Sequence, residues 1–174
     1  MKYLSTLLFL LFTVAAFGQK RNAIDGYLSF LYNKTTNDRT ITNNRSGFGF
    51  GMEIIGNTGN KFRPVVQLNS NLFFGTKELY TDLEDKVIDS KGSVTTLFGG
   101  GRIEAGNKAF GSLTVGAAFY NKQAYFGLRP LIGIYTSATK KVSAQVSYTT
   151  IFQRDEISNQ SFGFLSISLG LQLF

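Results

Sequence analysis

Glu78, Asp82, Glu84, Asp85 and Asp89 crowd into one short stretch, a carboxylate density that can hold a divalent cation. The spacing is wrong for a calcium loop. Lys86 stands among the would-be ligands, and no glycine occupies the sixth place after Asp82. Interleaved Lys77, Lys86 and Lys91 point to a solvated loop instead. Gly47-Phe48-Gly49-Phe50-Gly51 resembles the start of a nucleotide loop, yet Met52 stands where the third glycine of GxGxxG belongs and no helix follows. Gly99-Gly100-Gly101-Arg102 fails as a phosphate cradle for the same reason. The chain has no histidine and no cysteine, which removes Ser-His nucleophiles, imidazole metal sites and thiol chemistry. No catalytic, metal or cofactor-binding residue emerges, and the chain is expected not to be an enzyme.

The residues that carry information are the ones that alternate. Leu165, Ile167, Leu169, Leu171 and Leu173 are interleaved with Ser166, Ser168, Gly170 and Gln172. Side chains on a strand point to opposite faces in turn, so this segment has one apolar face and one small, polar face. Its length matches the ~9–11 residues that a tilted strand needs to cross a bilayer.

Met1 and Lys2 open the chain, Leu4 to Ala16 is an apolar run, and Ala16-Phe17-Gly18 offers small residues for cleavage before Gln19. This is the layout of a secretory leader over residues 1–18, leaving 19–174 as one domain. No cysteine follows the cleavage point for lipid attachment. Lys2 leaves with the leader, so 17 basic residues face 11 acidic ones, net +6. No nucleic-acid motif accompanies that charge, which suits anionic lipid head groups better.

The pattern predicts eight strands: Ile24–Tyr32, Ser46–Ile55, Phe62–Phe74, Val94–Ile103, Phe110–Tyr120, Tyr125–Tyr135, Val142–Phe152 and Phe162–Phe174. Gly99-Gly100-Gly101 blurs the fourth and reads as a bulge. Arg63-Pro64 and Arg129-Pro130 read as strand starts or bulges, because proline cannot donate to a ladder. The first, third and seventh connections are long and the second, fourth and sixth short, as in an up-and-down outer-membrane barrel; the fifth, Asn121–Ala124, breaks the rule. Tyr27, Tyr32, Phe62, Phe73, Phe74, Phe110, Phe119, Tyr120, Tyr125, Tyr135, Phe152 and Phe162 fall near strand ends, where interfacial girdles are expected.

By alternation Glu53, Arg63 and Arg129 point away from the apolar faces. An eight-strand barrel is just wide enough to be filled by side chains, so these charges are candidates for packing its lumen, and they should be paired. The glycines of 47–51 make room there.

The whole mature length resembles the small eight-stranded bacterial outer-membrane barrels of the OmpA transmembrane-domain and OmpX type. That resemblance implies an all-β, eight-stranded antiparallel up-and-down transmembrane barrel in the bacterial outer membrane. It further implies a monomer without cofactors, whose partners are outer-membrane lipids and the barrel-insertion machinery. Family members typically end in an aromatic residue, which makes Phe174 the candidate insertion signal. In strict alternation, however, Phe174 aligns with Gln172 and Ser168 and not with the leucines. The function expected is structural or surface-interacting, with a filled lumen. A soluble, lipocalin-like periplasmic barrel with its apolar face turned inward around a ligand is the alternative. Against it, the opposite face carries Gly, Ser, Thr, Asn and Gln and few long charges, whereas a soluble exterior needs charge.

Overall fold

The computed structural model describes residues 24–36, 46–58, 61–74, 92–120, 123–137, 139–152 and 161–174. The leader and the acidic stretch 78–89 lie outside them. Eight strands follow in chain order: β1 (Ile24–Thr35), β2 (Ser46–Gly56), β3 (Phe62–Phe74), β4 (Gly92–Ala105), β5 (Ala109–Tyr120), β6 (Gln123–Tyr135), β7 (Val142–Ile151) and β8 (Phe162–Gln172). Each is antiparallel to its neighbours, and β8 returns to β1 from Tyr27↔Gln172 to Thr35↔Phe164, closing the barrel. Closure abolishes sheet edges, so each strand finds ladder partners on both sides. In hydrocarbon that is the only sheet arrangement that satisfies the backbone.

The apolar faces point outward. Leu28 and Phe30 on β1, Phe50 on β2, Ile132 on β6, and Ile167 and Leu169 on β8 are all exposed, Ile132 to 69%. The alternate residues are buried and largely polar: Ser29, Asn33, Gln67, Asn69, Asn71, Thr96, Gln145, Ser147, Ser166 and Ser168. This is the inverse of a soluble barrel holding an apolar ligand, for which the apolar face would line the cavity.

Three expectations change. The glycine triplet makes no bulge: β3 and β5 pair with β4 through Val65↔Gly100 and Gly100↔Thr114 without a register shift. A Cβ on Gly100 would instead strike the Leu113 carbonyl of β5, so a side chain is excluded by close strand approach. Pro64 does sit near a strand start, but Pro130 lies inside β6. There the β6–β7 ladder is interrupted between Leu128↔Thr150 and Leu131↔Ser147 and resumes in the same register. Proline removes a donor without inserting a residue, which explains a gap with no slip. The strand-end aromatics also divide. Tyr32, Phe62, Phe74, Phe119 and Phe152 face outward, whereas Tyr27, Phe73, Phe110, Tyr135 and Phe162 turn inward. Strand phase, and not depth alone, decides which aromatics can join a girdle.

The turns at one end are short. Gly106 takes a positive φ of 67° in the three-residue turn from β4 to β5, a conformation in which glycine is unstrained. Lys140 takes φ 58° before β7. At the other end β5 and β6 are separated by residues 121–122 alone, so the short fifth connection persists.

Candidate functional site in the barrel interior

The interior is layered. Toward the short-turn end Tyr27, Ile55, Val65, Phe110, Leu131 and Tyr135 form one apolar cluster. Toward the other end Phe73, Val94, Phe98, Ala118, Ile151, Phe162 and Phe164 form a second. Phe73 meets Phe162 and Phe164 edge-on, at 5.7 and 5.2 Å between ring centres. Between these two caps lies the polar layer.

An ion network runs through the short-turn cap. Arg102, 1% exposed, donates to Glu53 at 2.7 Å and to the Tyr135 hydroxyl at 2.6 Å, and lies 3.2 Å from Glu104. Its guanidinium also sits 3.4 Å over the Phe110 ring, where the electron-rich face attracts a cation. Tyr135 donates to Glu104 at 2.9 Å, and Lys140 reaches the same carboxylate at 3.2 Å. Arg63 pairs with Asp25 and lies 3.6 Å from Glu104. Burying these charges is tolerable only because each has a close opposite partner and hydrogen bonds besides.

Above this network the groups are neutral. Gln67 donates to Glu53 at 3.4 Å and accepts from Thr114 at 3.2 Å. Asn69 donates to Thr96 at 3.3 Å, and Asn33 donates to Asn71 at 2.9 Å.

The structure therefore places Glu53 and Arg63 within one connected network. Arg129 stands apart. It is 4% exposed, and its Nε donates to the Ser147 hydroxyl at 3.1 Å. No carboxylate among the described residues forms an ion pair with it, contrary to the pairing expected of an inward charge. Sequence reasoning missed Asp25, Arg102, Glu104 and Tyr135. Arg102 and Glu104 are in phase with inward Phe98 along β4, a signal obscured by the intervening glycines. Asp25 sits one residue before the first clear alternation.

Phe174 is not in the barrel wall as a strand residue. β8 ends at Gln172, Leu173 donates to the Gly26 carbonyl at 2.8 Å, and Gly26 donates to the Phe174 carbonyl at 3.0 Å. Gly26 shares the outward side of β1 with Leu28 and Phe30. A Cβ there would come within 2.5–2.9 Å of the Phe174 ring. The terminal ring thus covers Gly26 and rejoins the apolar wall, although strict alternation places it on the other face.

No protein-family model and no curated protein matches this sequence. Solved structures do match the fold. Ail, the attachment invasion locus protein of Yersinia pestis, is 9% identical with a TM-score of 0.56, covering 86% of this chain and 97% of that one. Neisserial surface protein A is 15% identical with a TM-score of 0.53, covering 86% and 97%. A de novo designed transmembrane β-barrel is 8% identical with a TM-score of 0.53, covering 88% and 98%. At these identities the likeness is one of fold. The fold is that of the small outer-membrane barrels, as the strand pattern implied, and the outward apolar face is the one such a barrel turns to lipid.

Proposed function

We propose that this eight-stranded barrel resides in the bacterial outer membrane as a non-enzymatic envelope protein with a filled lumen and a structural or surface-interaction role. In this reading residues 1–18 are a cleaved export leader and 19–174 are the barrel. The barrel-insertion machinery recognises the terminal segment carrying Phe174, and the folded protein is a monomer. Glu53, Arg63 and Arg129 pack the lumen and do not line a transport path.

One observation carries the membrane assignment: every strand exposes large apolar side chains on its outward face, while the buried face holds hydroxyls, amides and ions. The inward aromatic caps at both ends of the polar layer support the closed lumen. The absence of histidine and cysteine from the sequence supports the non-enzymatic reading. A surface-interaction role is the class of role borne by the attachment protein that shares the fold.

The test is conductance together with fractionation. Purified protein reconstituted in planar bilayers is expected to be nearly silent, and the native protein is expected in the detergent-extractable outer-membrane fraction. Stable, large single-channel steps would overturn the filled lumen. Recovery in the soluble periplasmic fraction would overturn the membrane assignment.

A further inference from the structure

Among the described residues the lumen holds three arginines and three carboxylates, yet they do not pair off. Asp25 and Glu104 contact Arg63, Glu53 and Glu104 contact Arg102, and Lys140 also contacts Glu104. Every described carboxylate inside the barrel is thereby ion-paired elsewhere, and Glu53 acts on Arg129 only through space, without an ion pair. Arg129 is left as a buried cation whose sole side-chain hydrogen bond among the described residues goes to a neutral hydroxyl, Ser147. A guanidinium without an ion-pair partner inside a barrel surrounded by lipid is costly, because one hydrogen bond and a distant carboxylate return little of the lost hydration.

Hydroxyls able to donate lie beside it. Ser147 accepts from Arg129, so its own hydroxyl proton is free to be given elsewhere. Ser147 stands opposite Ser166 in the β7–β8 ladder, and both face inward. Side chains so placed are ~4.5–5.5 Å apart at Cβ. The Ser166 hydroxyl is buried without a partner, and so is that of Ser168 two residues along the same face. A guanidinium flanked by unsatisfied hydroxyls is a donor-rich cluster, and the species that completes it carries negative charge and no protons of its own.

We propose that Arg129, with the hydroxyls of Ser147 and Ser166, binds a small monovalent inorganic anion of chloride size inside the barrel. The inward side chains of β7 and β8 beside this cluster (Ser147, Ser166, Ser168) are small, whereas Arg102 and Phe110 occupy the interior nearer the short turns. The aromatic caps at both ends restrict exchange, so the ion is taken up as the barrel closes. Water is the competing occupant. Asn33, opposite Ser166 in the β1–β8 ladder, has an unpartnered Oδ1 that would accept from a bridging water.

Wild-type protein refolded in sodium bromide should show an anomalous bromine peak in contact with the Arg129 guanidinium. Its unfolding midpoint in detergent should be roughly 3–6 °C higher in halide than in gluconate at matched ionic strength, and the effect should saturate. Arg129→Gln, which keeps a donor for Ser147, should abolish the halide dependence, and Ser166→Ala should weaken it severalfold. Water density alone at Arg129 would overturn the proposal. So would equal midpoints in the two salts, or a halide effect unchanged in Arg129→Gln. Should that variant not fold, the bromine peak in the wild type decides.

Discussion

Replacing Arg102 with methionine keeps the length of the side chain and deletes its charge, which isolates the worth of the buried ion network. Arg102 contacts Glu53, Glu104 and the Tyr135 hydroxyl, and stacks over Phe110. Its loss falls unequally on the two carboxylates. Glu104 retains Arg63, Lys140 and Tyr135, whereas Glu53 keeps only the longer hydrogen bond from Gln67. One carboxylate is thus stranded, and breaking a buried pair in this way costs about 3–5 kcal/mol. Glu53→Gln alone leaves Arg102 paired with Glu104 and should cost roughly 1–3 kcal/mol. In the double variant no carboxylate is stranded at position 53. The cost of the double variant should therefore fall short of the sum of the two single costs by about 2 kcal/mol, within the range seen for residues in one network. Urea unfolding in lipid vesicles, followed by the mobility difference between heated and unheated samples on gels, measures all four corners of the cycle. Additivity to within ~0.5 kcal/mol would refute a direct, buried Arg102–Glu53 interaction.

Leu169→Arg should cost about 2–4 kcal/mol, because Leu169 is an outward residue in mid-strand, whereas Ser168→Thr on the inward face should be nearly harmless; equal tolerance at both positions would refute the facing of β8. Pro130→Val restores the missing donor in the β6–β7 ladder and should raise stability by roughly 0.5–1.5 kcal/mol, with slower amide exchange at Tyr148 and Thr149; unchanged exchange would mean that the gap has another origin. Gly26→Val places a side chain where the Phe174 ring lies and, like deletion of Phe174, should slow folding into vesicles. A Gly26→Val barrel that folds at the wild-type rate would separate the ring's position from insertion.

The period-two pattern made the strands, their number and their faces legible, because a half-lipid, half-lumen wall forces alternation on every residue it contains. Leu165 to Leu173 read correctly for that reason. What alternation does not encode is contact across the lumen. Arg102 meets Glu53 from β4 to β2, and Tyr135 meets Glu104 from β6 to β4; neither pair is close in sequence or adjacent in the ladder. Glycine erases phase, so Gly99 to Gly101 hid Arg102 and resembled a bulge where the register is continuous. Pro130 misled in the other direction, since its lost donor is absorbed by one gap without ending β6. Phase also assigned Phe174 to the wrong face, because Leu173 and Phe174 both bond to Gly26, two residues against one, and the alternation breaks there so that the last ring turns over Gly26.

The facing of the wall toward lipid is tested most directly by a spin-label scan of β8. Single cysteines at each position from Leu165 to Leu173, in a chain without native cysteine, would be labelled and the folded barrels placed in lipid vesicles. Collision with dissolved oxygen, which concentrates in hydrocarbon, should then be high at 165, 167, 169, 171 and 173 and low at 166, 168, 170 and 172. The opposite phase, or oxygen accessibility without a period of two, would contradict an apolar face turned outward to the membrane.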